Sequence, residues 1–242
     1  MIEIKNVTKT YSGAVKAVDD LNITIQDGEI FGFLGPNGAG KTTTIKMITG
    51  ILRPDSGNIR INGIDISKNP LEAKKKFGFV PDDPNIFLRL KGVEYLNFMA
   101  DMYEVADIDR KQRIESLSER FEMSGALGDH IQSYSHGMRQ KIVIMGVLIH
   151  NPPVWILDEP MTGLDPKSSF TLKEMMREHA SGGNTVFFST HVLDVAEKIC
   201  DKVAIINRGK ILFAGKLEEM REHFKNNQSF EKMFLELTEN GQ

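Results

Sequence analysis

Residues Gly35-Pro36-Asn37-Gly38-Ala39-Gly40-Lys41-Thr42 follow directly on an apolar run, Ile30-Phe31-Gly32-Phe33-Leu34, and precede isoleucines at helical spacing, Ile45 and Ile48. Few sequence features restrict a chain as much. An apolar run without polar alternation fits a strand covered on both faces, as in parallel sheets. A glycine-rich loop joining such a strand to a helix makes a strand–loop–helix unit, so the chain is predicted to be α/β with a parallel sheet. The G-x-x-x-x-G-K-[ST] spacing has a chemical reason. Its glycines let backbone N–H groups turn inward around a polyphosphate, Lys41 reaches the terminal phosphates, and the Thr42 hydroxyl takes one position on Mg²⁺. Thr43 follows, and Gly50 is placed to close the helix.

A second constellation lies downstream. Val154-Trp155-Ile156-Leu157 reads as another buried strand and ends in Asp158-Glu159. Open α/β sheets place ligands at the carboxyl edge of their strands. Two adjacent carboxylates there are electrostatically wasteful without a cation, so Asp158 is expected on Mg²⁺ and Glu159 as general base for an attacking water. The next strand, Thr185–Thr190, leads to His191, placed to orient that water. A guanine-specific enzyme needs an Asn-Lys-x-Asp reader, and no Asn-Lys pair occurs in the chain.

Alternating residues Ile2/Ile4, Leu21/Ile23/Ile25 and Ile59/Ile61 predict N-terminal strands, the last leading into an Asn62-Gly63 hairpin turn. Residues 88–153 change character: they are Met- and Leu-rich and helical in period. Helices are expected over Val93–Tyr103, apolar almost all round, and over Lys111–Met123, mostly charged. The α/β alternation then returns, with a helix over Pro166–Ala180 (stripe Leu172, Met175, Met176, His179) and a hairpin around Asn207–Lys210. Lys216–Gln242 reads as an amphipathic tail docking through Phe230, Phe234 and Leu237. The expectation is one folded unit. Residues 1–87 and 154–215 form the α/β core with its β-subdomain, 88–153 a helical subdomain and 216–242 a helical tail.

The 242 residues carry a net charge of −3, which argues against a nucleic-acid partner. The single cysteine, Cys200, fits a reducing compartment. Met1–Asn6 lacks the apolar core of a signal peptide. The longest apolar stretch is the eight residues Ile142–Ile149, against about 20 for a spanning helix.

With these residues in this order, the chain resembles the ATP-binding subunit of ABC transporters along essentially its whole length. Gly35–Thr43 resembles that family's Walker A, Tyr134-Ser135-His136-Gly137-Met138 its signature, Trp155–Glu159 its Walker B, Gly163-Leu164-Asp165 its D-loop and His191 its switch histidine. The resemblance implies a P-loop NTPase core, an N-terminal antiparallel β-subdomain and an inserted helical subdomain. It also implies MgATP hydrolysis and Tyr11 and Val18 at the adenine, with Asn37, Gly38, Ala39, Gly40, Lys41, Thr42 and Thr43 on the nucleotide. A second ATPase subunit is implied, arranged head to tail so that Ser135, His136, Gly137 and Met138 meet the partner's ATP and Asp165 lies at the dimer. A multi-spanning permease is the remaining partner, which places this chain on the cytoplasmic face of the membrane.

Two departures stand out. His136 and Met138 replace the usual glycine and glutamine of the signature, a form similar to the branch exporting drugs, antibiotic peptides or sodium. Asp82, in Phe79-Val80-Pro81-Asp82, stands where the family has glutamine, so it meets Mg²⁺ or its water as a charge. The competing reading is a soluble ABC-type ATPase acting on ribosomes, DNA or an assembly partner. The relatives of that kind carry two ATPase units per chain or long coiled coils, and neither occurs here.

Overall fold

A computed structural model describes residues 1–11, 15–224 and 229–240. In chain order the elements are β1 (Ile2–Tyr11), β2 (Val15–Ile25), β3 (Ile30–Leu34), α1 (Lys41–Ile48), β4 (Ser56–Ile61), β5 (Ile64–Asp65), α2 (Pro70–Lys74) and β6 (Phe77–Val80). Helices α3 (Gly92–Met102), α4 (Asp107–Arg120) and α5 (His136–Leu148) follow. Then come β7 (Val154–Leu157), α6 (Pro166–Ser181), β8 (Thr185–Thr190), α7 (Leu193–Ile199), β9 (Lys202–Asn207), β10 (Lys210–Gly215), α8 (Leu217–His223) and α9 (Phe230–Asn240).

The strands make two sheets, a four-stranded antiparallel one ordered β2-β1-β4-β5 and a six-stranded one ordered β10-β9-β3-β8-β7-β6. In the larger sheet β6, β7, β8, β3 and β9 run parallel, and only β10 pairs antiparallel. Residue alternation sends its two faces into different cores. Trp155, Leu157, Val186 and Phe188 pack with α3, α5 and α6. Val154, Ile156, Phe187, Phe31 and Phe33 pack with α1 and the small sheet. The ring centroids of Phe31 and Phe33 lie 6.1 and 5.5 Å from that of Phe187. Burying each such side chain stabilises by roughly 1.5–3 kcal/mol, so both layers are held firmly against the sheet. All five parallel strands consequently end along one edge, and the loops that leave it come together.

The Asn62-Gly63 turn has φ of 48° and 77°, the two positive values a two-residue hairpin needs. The apolar stretch Ile142–Ile149 lies in and just after α5, buried at every position. Among the described residues no helix is long and apolar enough to cross a membrane.

Two helix expectations need revision. The charged helix begins at Asp107, because Asp107 and Asp109 favour its first turn. It ends at Arg120, where Phe121 and Met123 turn into the core and Glu122 adopts φ 57°. In α3, Tyr95, Leu96 and Ala100 are buried, but Phe98 and Met102 are 39% and 64% exposed. That helix is therefore covered on one side only. In the tail, Leu217, Met220, Phe230 and Met233 bury against Leu34, Val203 and Ile205, with Phe234 and Leu237 partly buried beside them. Residues 225–228 and 241–242 of the expected tail lie outside the described residues.

Candidate nucleotide site

The loop after β3 is shaped by contacts no side chain tolerates. A Cβ on Gly35 would stand 2.3 Å from the Ile206 carbonyl, and one on Gly40 2.4 Å from the Ala17 carbonyl. Gly40 also has φ 112°, which an L residue adopts only under strain. Close approach of β2 and β9 thus forces glycine at both positions and aims the first N–H groups of α1 outward. Lys41, 7% exposed, folds over this loop, its Nζ donating to the carbonyls of Gly35 at 2.6 Å and Pro36 at 3.3 Å.

A cavity of about 220 Å³ opens above the loop, lined by Ala17, Pro36, Asn37, Gly38 and Gly40–Thr43 on one side and by Asp82 and Glu159 on the other. β6 delivers Asp82 and β7 delivers Asp158 and Glu159. Asp158 is 1% exposed and accepts a 2.5 Å hydrogen bond from the Ser189 hydroxyl. Burial raises its carboxyl above the ordinary range, and the negative charges of Asp82 and Glu159 add to this, against the Ser189 and Thr42 hydroxyls. Glu159 adopts φ 46°, a left-handed conformation for a non-glycine residue, at a cost of roughly 1–2 kcal/mol. Its N–H donates to the Ser189 Oγ at 2.9 Å, which helps hold the strained turn. One carboxylate oxygen lies 3.8 Å from the Lys41 Nζ, and the other 3.0 Å from Nδ1 of the exposed His191.

The donor set suits Mg²⁺. No group of three His, Cys, Asp or Glu among the described residues cages a metal, and Mg²⁺ is usually held by one or two carboxylates together with phosphate oxygens. A buried carboxylate with a hydroxyl and a second carboxylate nearby matches that requirement, whereas a buried charge left unpaired is costly. Asp158, Thr42 and Asp82 are the residues that would hold the ion.

Three expected contacts, Val18, Tyr11 and Ala39, are not in the cavity lining. Val18 is fully buried beneath the loop, and its neighbour Ala17, on the opposite face of β2, lines the cavity instead. Tyr11, 48% exposed, lies at the end of β1 and is not part of the lining. Ala39 is buried, its N–H on the Pro36 carbonyl and its carbonyl accepting from Gly209. Ser189 escaped the sequence reading. The signal for it was weak, one hydroxyl directly after the apolar run Val186-Phe187-Phe188 in a strand that also holds Thr185 and Thr190.

The segment around Ser135 stands elsewhere. Ser135 caps α5, accepting from the Met138 N–H at 3.3 Å. His136 is exposed, Gly137 and Met138 partly so, and none of these four lines the cavity with Lys41. His136 covers Gly163 so closely that a Cβ on that glycine, itself at φ 78°, would stand 2.2 Å from the imidazole. From the next turn of α5 the nearly buried Lys141 reaches Asp165 at 2.8 Å. Asp165 also caps α6 through the Ser168 N–H and hydroxyl. The start of α5 and the loop before α6 are therefore tied together.

The family model described as ABC transporter matches residues 18–162, and the chain belongs to that family. It is 38% identical over 209 residues to the ABC transporter ATP-binding protein NatA of Bacillus subtilis (strain 168), covering 86% of this chain and 85% of that one. It is 36% identical over 215 residues to the linearmycin resistance ATP-binding protein LnrL of the same organism, covering 89% and 69%. A solved ATP-binding subunit of an ABC transporter superposes with TM-score 0.94 at 32% identity, covering 98% of this chain and 99% of that one. A dimeric ATP-binding cassette in a post-hydrolysis state, bound to ADP and phosphate, superposes with TM-score 0.81 at 25% identity, covering 90% and 99%. The chain is thus an ATP-binding subunit of the ABC type, an ATP hydrolase on an α/β P-loop fold.

Proposed function

We propose that this chain is one of two ATPase subunits that power export through a separate membrane permease, working from the cytoplasmic face. The observation that carries the reading is the convergence of Lys41, Asp82, Asp158, Glu159 and His191 at one sheet edge while Ser135 and Gly137 stand outside the cavity. A site with phosphate donors on one side only is completed by the same donors of a second copy. Ser135 takes only the Met138 N–H, and the N–H groups of His136 and Gly137 before it, at the first turn of α5, are suited to phosphate.

In this reading Lys41 and the α1 N–H groups hold the β- and γ-phosphates. Thr42, Asp158 and Asp82 would hold Mg²⁺, whose chemistry there would be to neutralise charge on the phosphoryl group. Glu159 takes the proton of the attacking water as its oxygen bonds to the γ-phosphorus and the bond to ADP breaks. His191 orients Glu159 and the water through its 3.0 Å contact. Ser135 and Gly137 contact the partner's nucleotide, and Asp165 lies at the junction.

The permease is assigned to the groove between the α/β core and α3, lined by Thr49, Ile51, Lys74, Phe79, Met99 and Tyr103. Phe87, Phe98 and Met102 leave apolar surface on the same stretch of chain, with Phe87 and Phe98 rings 5.4 Å apart. Export, rather than import, is supported by the resistance function named for LnrL.

The test is a mild-detergent pull-down of the tagged Glu159→Gln chain from its own cells with MgATP. The variant is expected to retain ATP, hydrolyse it at a small fraction of the normal rate and accumulate as a dimer with a multi-spanning protein in stoichiometric amount. Normal turnover removes Glu159 as the base. Ribosomal, DNA-bound or purely soluble partners overturn transport while leaving the ATPase chemistry intact.

A further inference from the structure

Residues 46–76 carry seven Lys or Arg against three Asp or Glu, in a chain whose net charge is −3. The three carboxylates are occupied. Asp55 pairs with Lys9 at 2.7 Å, Asp65 accepts from Asn58 and Ser67 with Lys68 Nζ 4.0 Å away, and Glu72 pairs with Lys75 at 3.1 Å. Among the described residues none lies within ion-pair distance of Lys74 or Lys76. The excess charge is gathered on α2 and its flanks: Leu71 and Lys74 lie one helical turn apart on α2, Lys75 caps its end, and Lys68 stands in the turn just before it. Lys68 and Lys75 side chains are 75% and 61% exposed.

Leu71, 74% exposed, stands among these lysines in sequence and adds apolar surface to the basic segment. Ile51, 61% exposed, stands next to Gly50, whose Cβ position lies 4.0 Å from Lys74 Cε. Isolated apolar side chains ringed by long basic ones are the pattern of an interfacial contact. The apolar groups enter the boundary between headgroups and acyl chains, and the lysines reach back to the phosphates. Ile51 and Lys74 also line the groove assigned to the permease, so the basic face continues that groove outward.

We propose that this face rests on anionic lipid headgroups beside the permease. Its orientation toward the membrane rests on the permease reading, but affinity for an anionic surface is a property of this chain alone. The contact adds a second attachment of the ATPase to the membrane, one that weakens with salt because it is electrostatic at a solvent-exposed surface.

The experiment is co-sedimentation of the purified full chain with vesicles of phosphatidylcholine alone and of phosphatidylcholine mixed with phosphatidylglycerol. Binding is expected to the mixed vesicles only and to weaken, leaving a small residual, at about 0.5 M salt. A basic side chain near such a surface contributes about fivefold, so Lys68→Gln/Lys75→Gln/Lys76→Gln is expected to lower partitioning roughly a hundredfold. That variant should melt and hydrolyse ATP as the parent does, since all three side chains are exposed. Leu71→Ser is expected to lower the part of the binding that survives salt. Equal binding to neutral vesicles, or a triple variant that binds like the parent, overturns the proposal. No vesicle binding, with permease co-purification lost in the triple variant, assigns the lysines to an acidic permease segment and overturns it too. Vesicle binding in a chain that captures no permease strikes the permease reading alone.

Discussion

Replacing Asp165 with alanine removes two interactions that differ in kind. As the cap of α6 its carboxylate accepts from the Ser168 N–H at 2.9 Å, and losing such a cap costs about 1 kcal/mol. It is also the partner, at 2.8 Å, of Lys141, a lysine only 8% exposed. Stripping the partner from a buried charge costs about 3–5 kcal/mol when both groups are buried. The Asp165 side chain is 46% exposed, so solvent screens the pair and roughly 1–3 kcal/mol is the realistic range. The sum for Asp165→Ala is about 2–4 kcal/mol, a melting temperature lower by roughly 4–8 °C in a domain of this size. Lys141→Met removes the buried charge and leaves the cap in place, so it should cost under about 1 kcal/mol. The double variant should then fall near the cap value alone, more stable than Asp165→Ala. Urea unfolding of the four proteins closes the cycle. If the double variant is as unstable as Asp165→Ala, the stranded lysine is not the cause and the reasoning fails. The pH sign follows from the same pair. Lys141, then Ser168, holds the Asp165 carboxyl far below the ordinary carboxylate range. Its stabilisation is therefore complete above the unfolded value and lost as the pH falls below it. Asp165→Ala should flatten that acid limb.

Lys41→Ala should abolish ATP turnover by several orders of magnitude; near-normal hydrolysis would sink the phosphate assignment. Asp82→Gln exchanges a charged oxygen donor for a neutral one, so the Mg²⁺ concentration giving half-maximal hydrolysis should rise several-fold, and an unchanged midpoint removes Asp82 from the metal set. Burial lowers His150, stacked on Tyr103 at 3.6 Å, and His179, stacked on Trp155 at 4.0 Å, to about 4 each. Unfolding frees both to take protons near their ordinary value, so stability should be full above pH about 6.5 and decline toward pH 4. Urea midpoints at pH 7 and pH 5 should differ less in His150→Phe/His179→Phe than in the parent, and an identical difference would refute it.

Much of the α/β core was legible because its signals are local. Loop geometry demands glycine at Gly35 and Gly40, and burial on both faces demands the apolar runs at Ile30–Leu34 and Val154–Leu157. Each can be read from a few neighbouring residues. The start of the charged helix was missed because Asp107 and Asp109 act through the helix dipole, with no apolar periodicity to mark them. The all-round apolarity of Val93–Tyr103 favoured plain core packing, and only the stacking of layers left Phe98 and Met102 exposed.

What sequence alone determined is which chemistry is present: a polyphosphate loop, a carboxylate pair ending a buried strand, and a histidine ending the next. These depend on residue type and short spacing. Tertiary structure alone decided which of them meet and on what terms. Alternation along β2 put Val18 in the core and Ala17 at the cavity. The pairing of β7 with β8 brought Ser189 beneath Asp158 and Glu159, stabilising a strained turn that no local rule anticipates. Packing of α5 against the loop before α6 placed His136 on Gly163 and Lys141 on Asp165. Contacts between residues tens of positions apart depend on how the layers stack, and stacking is settled by the whole core at once.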